Sequence, residues 1–162
     1  MADVVHTLKA ADGDYSLMSA WEAAEQRDLV ALDETETLEC YDDWPDGLDD
    51  LVTIESWVTG ENNTITVLAE ASAKASVSGD TIAGFFMSPA SGYPVTLRGL
   101  KFVYFKDIGL QSNNNYAAFY CLVNGTEVNL DSCILNARSS SGTGSLAHAL
   151  NMGNNPNAAL VQ

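Results

Sequence analysis

VTLRGLKF (95–102) and VNLDSCIL (128–135) set apolar residues on the same alternating track, and each follows a run of loop residues. Two further segments join them: ITVLAE begins at Ile65 and AALVQ at Ala158, so successive starts lie 30, 33 and 30 residues apart. In this register Val67, Leu97, Leu130 and Leu160 form one column, and Ile65, Val95, Val128 and Ala158 form another. A second series runs between them: TIAGFFM from Thr81, AAFYCLV from Ala117 and SLAHALNM from Ser145. The loops SPASGYP, QSNNNY and SSSGTG fall at recurring places. A strand and loop unit repeated without helices predicts a β-solenoid, because each coil exposes an apolar face that only the next coil covers. An antiparallel sandwich is the competing architecture, but it has no reason to repeat its column positions.

Upstream of the repeat the pattern changes. DYSLMSAWEAAEQRDLV (14–30) predicts one amphipathic helix over about 16–28, with Leu17, Trp21 and Ala24 on one face and Met18 and Ala20 beside them. Asp14 or Ser16 can cap its start. Glu22, Glu25, Gln26 and Arg27 supply the wet face. Short alternating strands follow in TETLECYD, LVTIESWVT and NTITVLAE, separated by turn residues. Residues 1–60 therefore read as an N-terminal cap region and 61–162 as solenoid coils. The helix makes sense as a plug, since the open apolar end of a first coil must be covered, and Leu17 and Trp21 would lie over it.

Composition narrows the function. The chain has 22 Asp and Glu against 7 Lys and Arg, a formal charge of −15, which repels nucleic-acid backbones and anionic membrane surfaces. No apolar run approaches the ~20 residues of a membrane helix. The start, MADVVHTLKAADGD, has neither a basic nor an apolar signal segment, so synthesis and folding in a cytoplasm are expected. Acidic residues crowd the front, above all residues 33–50; after Asp80 only Asp107, Glu127 and Asp131 remain.

Chemistry-bearing motifs are sparse. Cys40, Cys121 and Cys133 lack CxxC spacing and His6 and His148 lie far apart, so no metal site is expected and the cysteines read as small buried hydrophobes. Asn62-Asn63-Thr64 and Asn124-Gly125-Thr126 match the glycosylation pattern but read as turn chemistry. Asp42, Asp43, Asp46, Asp49 and Asp50 offer oxygen ligands to calcium, yet lack the order of known loops and read as a solvated acidic turn. Arg98 and Asp131 would pair across neighbouring coils, with Lys101 near, as a surface ion pair. Phe85, Phe86, Tyr104, Phe105, Tyr116, Phe119 and Tyr120 read as core packing rather than a sugar-stacking platform, with alternation placing about half of them inside. No catalytic residue and no cofactor is expected.

The front of the chain resembles the opening of right-handed parallel β-helix proteins of bacteriophages and marine bacteria, in which a Tyr-Ser-x-x-x-Ala-Trp-Glu helix precedes a Glu-Cys-Tyr strand. Those elements here are Tyr15, Ser16, Ala20, Trp21 and Glu22, then Glu39, Cys40 and Tyr41, within roughly residues 7–70. The resemblance implies an all-β, right-handed parallel β-helix with an N-terminal α-helical cap. It also implies a structural protein of a phage virion, a tail fibre, tailspike or capsid decoration made in the host cytoplasm, in contact with other virion proteins and with host surface polysaccharide. A polysaccharide depolymerase and a bacterial glycan-binding adhesion module are the alternatives. The family further implies a homotrimer. NPNAALVQ starts a fourth coil, so continuation of the chain or cover by another subunit is expected, with the nearly uncharged residues 81–162 forming the contact faces.

Overall fold

The structure, a computed structural model of the chain, describes residues 1–113, 116–122, 126–138 and 149–151, and the backbone of 159–161. Among the described residues strands dominate, and helix is confined to two short segments. Strand β1 (Ala2–Leu8) leads into helices α1 (Met18–Glu25) and α2 (Leu29–Leu32) and strand β2 (Glu34–Cys40). Strands β3 (Val52–Ile54) and β4 (Ile65–Ala69) follow, then a hairpin of β5 (Ser76–Ser78) and β6 (Thr81–Ala83). Next come β7 (Phe86–Met87), β8 (Val95–Arg98), β9 (Val103–Lys106), β10 (Gly109–Ser112) and β11 (Phe119–Leu122). The last are β12 (Glu127–Asp131), β13 (Ile134–Ala137), β14 (Leu150–Asn151) and β15 (Ala159–Val161).

Apart from the antiparallel β5–β6 hairpin, the named strands assemble into three sheets in which every pairing is parallel. A six-stranded sheet has the order β1-β2-β4-β9-β12-β15, a four-stranded sheet β14-β11-β8-β3, and a three-stranded sheet β13-β10-β7. From β7 onward the chain visits the three-, four- and six-stranded sheets in turn and then repeats the circuit. Each sheet turns one alternating face inward. Ile65, Val67, Val103, Phe105 and Val128 are buried on the first, Val52, Ile54, Val95, Leu97, Phe119 and Cys121 on the second, and Met87 and Leu110 on the third. These residues join one apolar cluster, in which each large side chain contributes roughly 1.5–3 kcal/mol by leaving water.

The register read from the sequence is corrected by these pairings. Ile65 and Val67 stand beside Val103 and Phe105, not beside Val95 and Leu97. Val128 and Leu130 stand on the other side of Val103 and Phe105, and Leu160 adjoins Val128 rather than Leu130. Val95 and Leu97 belong to the four-stranded sheet, between Val52 and Ile54 on one side and Phe119 and Cys121 on the other. The physical reason is that all three sheets present the same alternation to one interior. Periodicity marks a strand as inward-facing without saying to which sheet it belongs. The loop at 139–144, His148, Ala158 and the side chain of Leu160 lie outside the described residues, as does Asn124.

The front helix is also shorter than expected and turns a different face inward. α1 ends at Glu25, and α2 restarts at Leu29 with Asp28 as its cap, accepting from the Ala31 amide at 2.8 Å. α1 buries Met18, Trp21 and Glu22, whereas Leu17 and Ala24 are exposed. Leu17 is the extended residue before the helix, so its side chain is not on the helical face at all. Neither Asp14 nor Ser16 caps α1. Asp50, from the loop before β3, accepts from the Ser19 amide and hydroxyl, each at 2.8 Å. Trp21 is fully buried.

Candidate functional site

In β2 the alternation places Glu36, Leu38 and Cys40 on the inward face, and all three are fully buried. A carboxylate in that column must find partners or titrate away its charge. Glu36 finds three. Its Oε1 accepts from Trp21 Nε1 and lies against His6 Nδ1, both at 2.8 Å, and its Oε2 accepts from Arg27 Nη2 at 2.7 Å. His6 sits on β1 beside Leu38, and its Nε2 lies 3.4 Å from Glu25 Oε1, which also accepts from the Tyr15 hydroxyl. Arg27 spreads its guanidinium over Glu34 at 2.9 Å, Glu36 and Glu25 at 3.3 Å, and stands 5.6 Å from the Trp57 ring. The bond to Glu25, then burial, pushes the Tyr15 hydroxyl up to about 12. Burial alone would lower Arg27, but its bonds to Glu36 and Glu34 carry it above its ordinary value.

Beside this network lies a second buried acid. Glu22, expected on the wet face, is covered because the segment carrying Trp57 folds over it. Its oxygens accept from Trp57 Nε1 and Gln26 Nε2, each at 2.7 Å, and from the Glu55 amide at 2.9 Å. Burial raises its pKa against the pull of those three donors. Trp21 and Trp57 pack with ring centroids 5.6 Å apart, closing the apolar side of the layer.

His6, Glu25 and Glu36 bring ligand atoms within 4.8 Å of one another, close enough to ask whether they hold a cation. The donor set answers against it. Both oxygens of Glu36 and both of Glu25 already receive hydrogen bonds or ion pairs from Trp21, Arg27, Tyr15 and His6. A metal ion would have to displace the Arg27 guanidinium from a buried carboxylate. The cluster is an internal ion-pair network that fastens α1 and β1 to β2.

The other sequence candidates are dispersed. In the acidic turn, Asp43 accepts from the Ala10 amide at 3.0 Å, Asp49 from the Ala90 amide at 3.1 Å, and Asp50 caps α1. Arg98 and Asp131 do not pair. Arg98 meets Glu55 at 3.1 Å, Asp131 meets Lys106 at 3.8 Å, and Lys101 meets Glu127 at 2.8 Å. The misplaced sheet assignment of β8 explains the difference. Among the aromatics, Phe85, Phe86, Phe105 and Phe119 are buried, whereas Tyr104 and Tyr116 are 36% and 37% exposed. Tyr116 and Tyr120 gather around Tyr93, at 5.2 and 4.5 Å between centroids. Asn63 is turn chemistry as expected: its Nδ2 donates to the Leu29 and Glu34 carbonyls at 3.1 Å.

The sequence reading missed His6, Glu25, Arg27 and Glu36 as a unit, although one signal was present. In TETLECYD the alternation that turns Leu38 and Cys40 inward turns Glu36 inward too. No family model, no curated protein and no solved structure matches the chain.

Proposed function

We propose that the chain is a right-handed parallel β-helix with a helical cap, acting as a non-enzymatic surface appendage of a bacteriophage particle that contacts host glycans. One observation carries the fold: from β3 onward, strands that neighbour each other within one of the three parallel sheets are reached only after the chain has visited the other two. β9 and β10 are separated by two residues, and β12 and β13 by two, too few for a crossover helix, so the chain wraps rather than doubles back. Parallel crossovers of this kind are right-handed in nearly all proteins. The front motif around Trp21 and Tyr41 supports the phage reading. So does the use of the charge cluster around Glu36 for internal fastening.

The appendage is a homotrimer whose contact faces lie in residues 81–162, where charge is depleted. Of the acidic residues in 33–50, Asp33, Asp42, Asp43, Asp46 and Asp49 are exposed, which supports an outward acidic front, whereas Glu34, Glu39 and Asp50 are half-buried and Glu36 is buried in the network. Mass spectrometry of purified particles tests the role, and particles lacking the protein would remove it. Sedimentation equilibrium tests the assembly, with three times the 17.3 kDa chain mass expected and a stable monomer against it.

A further inference from the structure

The β5–β6 hairpin folds over the outer face of the three-stranded sheet. It docks where Gly109 lacks a side chain: a Cβ there would meet Phe86 Cβ at 2.6 Å and Ile82 Cγ2 at 3.0 Å. Between the hairpin and β13 a groove of about 670 Å³ remains, lined by Val77, Asp80, Ile82, Ile134, Asn136 and Arg138 among others. That is within the ~300–1,000 Å³ range of small-ligand sites.

Its charge is anomalous for this molecule. Of the chain's seven Lys and Arg residues, five meet carboxylates and Lys9 lies over the Tyr41 ring at 3.9 Å. Among the described residues, Arg138 alone has neither partner. Its Nη2 donates to the Asp80 carbonyl at 2.8 Å, which ties the strand to the hairpin turn and leaves the rest of the guanidinium fork open. In a protein with 22 acidic residues, a cation without a carboxylate partner, set in a groove, points to a carboxylate from elsewhere. The remaining lining asks for more than an anion. A hydrogen-bonded ladder crosses the sheet, with Gln111 Nε2 donating to Ser88 Oγ at 2.9 Å and Asn136 Nδ2 to Gln111 Oε1 at 3.3 Å. The ladder uses one N–H of the Asn136 amide and leaves its Oδ1 as an acceptor. The exposed Asp80 carboxylate is a second acceptor, and Val77, Ile82 and Ile134 offer apolar wall. A ligand satisfying all three carries a carboxylate, adjacent hydroxyl donors and a C–H face.

We propose that this groove binds a sugar acid, a uronate unit of an acidic polysaccharide, with Arg138 on its carboxylate and Asp80 and Asn136 on its hydroxyls. The inference rests on the glycan-contact part of the proposed function. Calorimetric titration of the full 162-residue chain with a galacturonate trisaccharide tests it, against a neutral galactose trisaccharide and acetate as comparison probes. The uronate is expected to bind, with both comparison probes and the Arg138→Gln variant weaker by about tenfold or more. Val77→Glu, at an exposed hairpin position, is a second variant expected to repel the uronate. No uronate binding at millimolar concentration, equal binding of the neutral sugar or of acetate, or unchanged affinity in both variants overturns the proposal. The particle assay is independent: a chain present in virions that ignores uronate removes the groove and leaves the appendage role standing.

Discussion

Glu36 is held in the interior by partners from three segments, and its removal would leave Trp21 Nε1 without its acceptor and Arg27 Nη2 without its carboxylate, although Arg27 keeps Glu34 and Glu25. Breaking a buried pair from one side costs about 3–5 kcal/mol, so Glu36→Ala should lower unfolding stability by that order in a urea titration. A loss under ~1 kcal/mol would mean that water reaches the network as it reaches a surface pair. Tyr15 offers a spectroscopic readout of the same layer. The bond to Glu25 pushes its pKa up to about 12, above the ordinary tyrosine value of about 10. The protonated hydroxyl is thus favoured by folding, and the stability it contributes is complete below about pH 10 and disappears as pH rises towards 12. Ultraviolet titration should show a tyrosine ionising near 12 that vanishes in Tyr15→Phe, and that variant should lose less stability between pH 10 and 12. An unchanged high-pH phase in the variant would assign it elsewhere, with Tyr41, also raised by its bond to Glu39, the next residue to replace.

At the scale of elements, the strand β9 decides whether the register is right. Phe105 is fully buried and meets Phe119 across the interior, ring centroids 5.1 Å apart, while its neighbour Tyr104 faces outward. Phe105→Ala should cost about 3–5 kcal/mol through lost contacts and a cavity. Tyr104→Ala, on the outer face, should cost less than ~1 kcal/mol, as surface changes usually do. The reverse order in thermal unfolding would shift the strand by one residue and turn its whole inner face outward. The helix is decided differently. α1 takes its cap from Asp50, 31 positions away from Ser19, and its inner face is set by Trp57 and Glu36. Nothing in the local sequence of the helix announces either.

At the scale of the whole molecule, Cys40 and Cys121 lie in the packed interior, while Cys133, expected buried, is half-buried against it. Burial raises Cys40 well above the ordinary thiol value, pushes Cys121 up to about 12, and pushes Cys133 up to about 11. Thiols of this kind are inert because the thiolate is the nucleophile. A disulfide reagent at neutral pH should therefore leave the native chain unmodified and titrate three thiols only in denaturant, Cys133, the least buried, first. Rapid labelling of Cys40 without denaturant would show that the six-stranded sheet opens at β2 under native conditions.

Strand-rich architecture, inward-facing residues and the burial of Trp21 were legible in the sequence, because each depends on alternation or on a single large apolar side chain with nowhere else to go. Of the residues picked out as interior, Ile65, Val67, Val95, Leu97 and Val128 are buried, Leu130 is half-buried, and the side chain of Leu160 lies outside the described residues. Their pairing was not legible. Three sheets sharing one interior impose the same period on every strand, and connections of unequal length decide which strand lies beside which. The same limit applied to charge. Glu36 shows in the sequence as an acid on an apolar track, but its partners His6, Trp21 and Arg27 come from other segments, and the open guanidinium of Arg138 exists only because the hairpin folds back over β13. Alternation is a property of the local backbone and is written residue by residue. Neighbourhood is a property of the completed chain path, and only the tertiary structure decides it.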